Sequence, residues 1–153
     1  MTSSDEVPTT GVWLVGARGS VAVTALAGAA ALRAGLAEPI GCVTATAEFA
    51  DAGLRDYADL VFGGHDVSDV SVLKQAAELA ADGVIPGALL DAVADELRAA
   101  DAEIRTVPAR ADDGRSARER INGLIADIEE FRDARRLRRV VVINVASDRK
   151  SVV

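Results

Sequence analysis

The chain has 153 residues, half of them hydrophobic, which is enough for one domain with a buried core. Aromatic residues make up only 3%, so that core must come from Val, Leu, Ile and many Ala, small side chains that suit close helix-on-sheet packing. The formal charge of −7 argues against nucleic acid as a main partner, because a phosphate backbone requires a basic stripe; a small phosphorylated ligand needs only a local site.

The opening residues, Met-Thr-Ser-Ser-Asp-Glu, lack the basic start of a signal peptide. The least polar stretch, between Arg18 and Arg33, is too short and too rich in Gly and Ala to cross a bilayer. A cytoplasmic protein without a membrane partner is expected. Residues 1–10 read as a loose polar tail. Gly11 to Gly16 is a short apolar run ending in glycine, as in a strand buried on both faces. Ser20 to Leu36 reads as a helix, with Ser20 near its start and Gly35 near its end.

Pro39 resets the chain, and the β-branched run from Ile40 to Thr46 predicts a second strand, with the single cysteine, Cys42, buried in it. Asp59 to Gly64 reads as a third strand with a glycine exit, followed by helices over about Val70–Asp82 and Ala88–Ala100. Residues 105–115 read as a loop. Ser116 and Glu119 form a capping box, after which Ile121, Leu124, Ile125, Ile128 and Phe131 share one helical face. The arginines at 132, 135, 136, 138 and 139 then suit the negative pole of that helix, with a ligand patch as the alternative. Val140 to Asn144 is a fourth buried strand. The whole predicts an α/β protein, a Rossmann-like doubly wound parallel sheet that stops after about four strands.

In such a sheet ligands bind at the carboxyl ends of the strands. Three segments fall there. Gly16-Ala17-Arg18-Gly19-Ser20-Val21-Ala22 lies between the first strand and first helix, where helix N–H groups meet a pyrophosphate. Arg18 occupies the position of the fingerprint's middle glycine; Gly19 compensates, and the guanidinium is a candidate phosphate partner. A plain glycine turn is the alternative. Gly63-Gly64-His65-Asp66-Val67-Ser68 offers two glycines for close approach and Asp66 as acceptor for ribose hydroxyls, with Glu48 as second candidate. Asp66 or Ser68 as a simple helix cap competes with that assignment. His65 reads as a loop side chain on the adenine side, with no companion for a metal. Asn144 to Ser147 would lie beside the first strand under the nicotinamide half, or form an ordinary strand-to-loop turn.

Together these segments resemble the myo-inositol-1-phosphate (inositol-3-phosphate) synthases. That family opens with a strand and a Gly-x-Gly-Gly-Asn-Asn-Gly loop, matched here at Gly16 and Gly19 and not at Arg18, Ser20, Val21 and Ala22. Its Gly-Gly-Trp-Asp-Ile-Ser is mirrored by Gly63 to Ser68, and its later helix, Val-Val-Val strand and Thr-Ala-Asn-Thr-Glu exit by Ile121 to Ser147. The resemblance implies NAD as cofactor, held by Gly16, Ala17, Arg18, Gly19, Ser20, Val21, Asp66, Val67, Ser68, Ala146 and Ser147. It also implies that the full-length enzyme takes glucose 6-phosphate to myo-inositol phosphate, for inositol and phospholipid biosynthesis. NAD-dependent oxidation at C5, aldol closure and reduction of the ring ketone are the implied steps, in a homotetramer.

The family's catalytic lysines lie in a later domain, and neither Lys74 nor Lys150 matches them. Residues 11–147 are therefore expected to be an incomplete NAD-binding domain, inactive alone. Asp148 to Val153 depart from the family pattern and match the translation of a common sequencing-library adapter, so they are expected to be foreign to the gene. The competing readings are a non-catalytic dinucleotide-binding module and a fragment of another Rossmann dehydrogenase. The absence of Gly-Lys-Ser/Thr after the first strand argues against a P-loop NTPase.

Overall fold

The computed structural model describes residues 10–108 and 114–147; residues 1–9 of the tail expected at 1–10, 109–113 of the loop expected at 105–115, and the C-terminal 148–153 lie outside the described residues. Strand β1 (Thr10–Val15) is central and begins one residue earlier than the sequence suggests, with Thr10 buried. Helix α1 (Ser20–Arg33) follows, then β2 (Leu60–Asp66), α2 (Val72–Ala81), α3 (Gly87–Ala102), β3 (Ile104–Thr106), α4 (Ala117–Ala134) and β4 (Arg139–Asn144). The four strands form one parallel sheet in the order β3-β2-β1-β4.

Alternation along β1 divides the core into two faces. Val12 and Leu14 pack with Ala22, Val23, Leu26 and Ala27 of α1, Val72 and Leu79 of α2, and Val93 and Leu97 of α3. Trp13 points the other way, against Phe131 of α4 and Leu137. Helices therefore lie on both sides of the sheet, as expected, three on one face and α4 on the other. The alanines do what composition implied: seven residues of α1 are buried, five of them Ala, so the helix can lie close on the strands.

The expected second strand does not exist. Residues 40–59 carry three short 3-10 turns (Val43–Ala45, Ala47–Phe49, Tyr57–Asp59), and Ile40 and Val43 are 87% and 65% exposed. A strand needs a partner edge. Both edges of β1 are occupied by β2 and β4, and Gly41 at φ +82° breaks an extended run. Cys42 is accordingly half-exposed in a loop and unpaired, not in a strand. The segment foreseen as the third strand is β2. A three-residue strand, β3, runs where a loop was expected, its polar Arg105 and Thr106 having masked the signal.

Candidate dinucleotide-binding site

The turn after β1 is hung from the carboxyl end of β2. The amides of Gly16 and Ala17 both donate to the His65 carbonyl, at 2.9 and 3.1 Å, and the Arg18 amide donates to the Asp66 carboxylate at 2.7 Å. Gly16 has φ +87°, and a Cβ there would stand 2.6 Å from Cα of Ala146, so only glycine fits between this turn and the β4 exit. Helix α1 starts at once, with Gly19 as N-cap, no side chain capping it and no acid in its first turn. Ser20 and Val21 are exposed there, whereas Ala22 is 1% exposed in the core, which is the place of a third fingerprint glycine. An uncapped helix start beneath a positive-φ glycine is a shape and a dipole that accept an anion.

Sheet order changes the standing of Asp66. In an ordinary NAD domain the ribose-binding acid ends the second strand. The sequence reading placed Asp66 at the exit of a third strand; the structure makes that strand the immediate neighbour of β1 and extends it to Asp66, its last residue. The carboxylate is 9% exposed as a residue and accepts from the Arg18 and Ser68 amides, at 2.7 and 2.8 Å. The chain reverses sheet direction between β1 and β4, so the Gly16 turn and the Asn144–Ser147 exit flank the switch point. Val145 donates to the Val15 carbonyl, and Asn144 caps the turn by accepting from the Ala146 amide at 3.0 Å. Ala146 and Ser147 are exposed beside Gly16, and Val67 is 60% exposed just past Asp66.

Several sequence expectations are corrected here. The Arg18 guanidinium does not face the start of α1. It reaches across the ends of β2 and β3 to the Asp101 carboxylate (2.8 Å), the Ser68 carbonyl (2.9 Å) and the Thr106 hydroxyl (2.8 Å), and its side chain is 9% exposed. Gly63 and Gly64 lie inside β2 and make room for the protein itself. A Cβ on Gly63 would meet the Trp13 ring at 2.9 Å, and one on Gly64 the Leu14 carbonyl at 2.3 Å. His65 is a strand residue, 5% exposed. Its Nδ1 accepts from the Trp13 indole (3.0 Å), so the ring proton sits on Nε2, which donates to Asp127 of α4 (2.9 Å). Glu48 stands in an exposed 3-10 turn at no strand end. The Thr46 hydroxyl and its own backbone amide hold its carboxyl below the usual range.

Asp101 and Thr106 were missed by the sequence reading. One signal was available for Asp101: an acid in the last turn of a helix opposes the dipole, which suggests a tertiary cation as partner.

The fold defines this chain as a Rossmann-like α/β domain, with a glycine turn and a second-strand acid at its switch point. A family model described as myo-inositol-1-phosphate synthase, for an NAD-binding domain, matches residues 10–152. The chain belongs to that family. It is 33% identical over 161 aligned positions to inositol-3-phosphate synthase 1 of Bacteroides thetaiotaomicron, covering 90% of this chain and 36% of that protein. The crystal structure of inositol-3-phosphate synthase from Caenorhabditis elegans superposes with a TM-score of 0.67 at 21% identity, over 91% of this chain and 34% of that one. The chain thus spans about a third of the length of the relatives it matches. Among the described residues, no helix is long and apolar enough to cross a membrane.

Proposed function

We propose that this chain is the nicotinamide-dinucleotide-binding portion of an inositol-3-phosphate synthase. The observation that carries the reading is the joining of the Gly16 turn to Asp66: an uncapped helix start and a second-strand acid are held together at the switch point of the sheet. In this reading the pyrophosphate rests on the first-turn amides of α1 around Gly19, Ser20 and Val21. Asp66, with Val67 and Ser68 beside it, takes the adenosine ribose, and Ala146 and Ser147 border the nicotinamide half.

The cradle fits the group, since Gly16 admits no side chain and, among the described residues, no side chain caps α1. When bound, NAD supplies the hydride acceptor and donor. The complete enzyme would act on glucose 6-phosphate to give myo-inositol phosphate, in the cytoplasm and as a homotetramer. Lys74 and Lys150 match no catalytic lysine of the family, so this chain binds without turning over.

Titration of the purified chain with NAD⁺, followed by calorimetry and by the emission of its single tryptophan, Trp13, tests this directly. Saturable binding at one site, with no inositol phosphate formed from glucose 6-phosphate, is expected. Absence of any binding heat would sink the dinucleotide reading, and measurable turnover would overturn the claim of inactivity.

A further inference from the structure

Resting on the dinucleotide reading, we infer that Asp101 makes the site selective for NAD over NADP by neutralising and holding Arg18 beside the ribose-binding carboxylate. The two dinucleotides differ by a phosphate on the adenosine ribose 2′-oxygen. In Rossmann domains an acid at the end of the second strand favours the free hydroxyl, and a nearby arginine accommodates the phosphate. This chain places both groups at one spot. The Arg18 amide donates to Asp66, and the Arg18 guanidinium bonds the carbonyl of Ser68, two residues beyond that acid.

An arginine there would ordinarily suit a phosphate, through forked, charge-assisted hydrogen bonds. Here most of its donors are already committed, and the second terminal nitrogen reaches the Ile104 carbonyl only at 3.5 Å. Nε faces Asp101 at 2.8 Å, one terminal nitrogen is shared by Ser68 and Thr106, and only 9% of the side chain is exposed. Asp101 is the one charged partner in the set and is itself 23% exposed. Asp66, Asp101 and Arg18 together carry an excess of negative charge around the 2′ position. A 2′-phosphate would enter against that excess, in surroundings where nearby water screens it poorly. Removing the Asp101 charge leaves Arg18 to balance Asp66 and gives the phosphate a cation.

The test measures Kd for NAD⁺ and NADP⁺ on the full chain, for the natural protein, Asp101→Asn and Asp101→Ala. Asp101→Asn keeps an oxygen to accept from Nε and so preserves the fold around Arg18. The natural chain is expected to bind NAD⁺ at least tenfold more tightly than NADP⁺. Both variants should narrow that ratio at least fivefold, and adding Arg18→Gln to Asp101→Asn should restore it. A purely structural role for the pair would weaken both ligands in proportion and leave the ratio fixed. That outcome, a natural chain that does not discriminate, or a narrowed ratio that survives loss of Arg18 would each overturn the inference while the dinucleotide reading stands. Binding of neither nucleotide by the natural chain would overturn both.

Discussion

Asp66 does two things with one carboxylate. It fixes the Gly16 turn through the Arg18 amide and caps its own exit through the Ser68 amide. Each carboxylate oxygen retains a lone pair for a ribose hydroxyl. Asp66→Ala should therefore weaken NAD binding more than tenfold, about 1.4 kcal/mol, through loss of the acceptor and loosening of the turn. Calorimetric titration measures it, and an unchanged affinity would remove Asp66 from the site. The sequence singles this residue out because Gly-Gly-His-Asp is a specific segment; its rank in the sheet only the structure shows. Gly63 and Gly64 show the same limit. Sequence marks them as positions of close approach, and only packing reveals that the approaching groups are Trp13 and the Leu14 carbonyl.

The start of helix α4 was legible at the level of the element; its end was not, because the helix stops at Ala134, only Arg132 of the expected arginines lies in its last turn, and Arg139 opens β4. Ser116 accepts from the Glu119 amide and Glu119 reaches back to the Ser116 amide, the capping box that the sequence announces. Its far end follows a glycine pattern without the glycine. The Leu137 amide donates to the Arg132 carbonyl and the Arg136 amide to that of Asp133, while Arg136 takes φ +53°. The equivalent positions after α1 and α2 are Gly35 and Gly83, at +67° and +76°. A left-handed arginine pays a steric cost that glycine avoids, though glycine loses more entropy on folding. Arg136→Gly is expected to stabilise the chain by about 0.5–1 kcal/mol, visible as a higher urea midpoint at constant slope. A lower midpoint would show that the guanidinium contributes more than the backbone strain costs.

The apolar stripe of α4 was read correctly from its period, and its burial was not. Phe131 is 2% exposed against Trp13, but Ile121, Leu124 and Ile125 remain 55%, 37% and 48% exposed. Two acids one turn apart complete the attachment to the sheet. Asp127 holds His65 and Glu130 holds Arg105, and these two bases are register partners on β2 and β3. No helical period announces such a pair, because its spacing is set by the neighbouring strand.

At the scale of the whole molecule, the sheet is asymmetric. β2 and β1 are shielded on both faces, whereas β4 pairs only with β1 among the described residues, and Val141, Val142 and Ile143 are 45%, 52% and 43% exposed. A β-branched strand with one open edge is a template for pairing with other chains. Val142→Lys places a charge on that edge without touching the dinucleotide site. It should reduce self-association in light scattering at matched concentration while NAD affinity stays unchanged. An equal scattering mass in both proteins would show that β4 is not the sticking surface.

The sequence by itself determined the class of fold, the strand-turn-helix start, the capping box and the family. These are local or periodic features, written in neighbouring residues. Only the tertiary structure decided that 40–59 contributes no strand, that Asp66 ends the second strand of the sheet, and that Arg18 is bound by Asp101 and Thr106 from far along the chain. The physical reason is common to all three: strand pairing and the partner of a charged side chain are set by which distant segments the fold brings within reach, not by neighbours in the sequence.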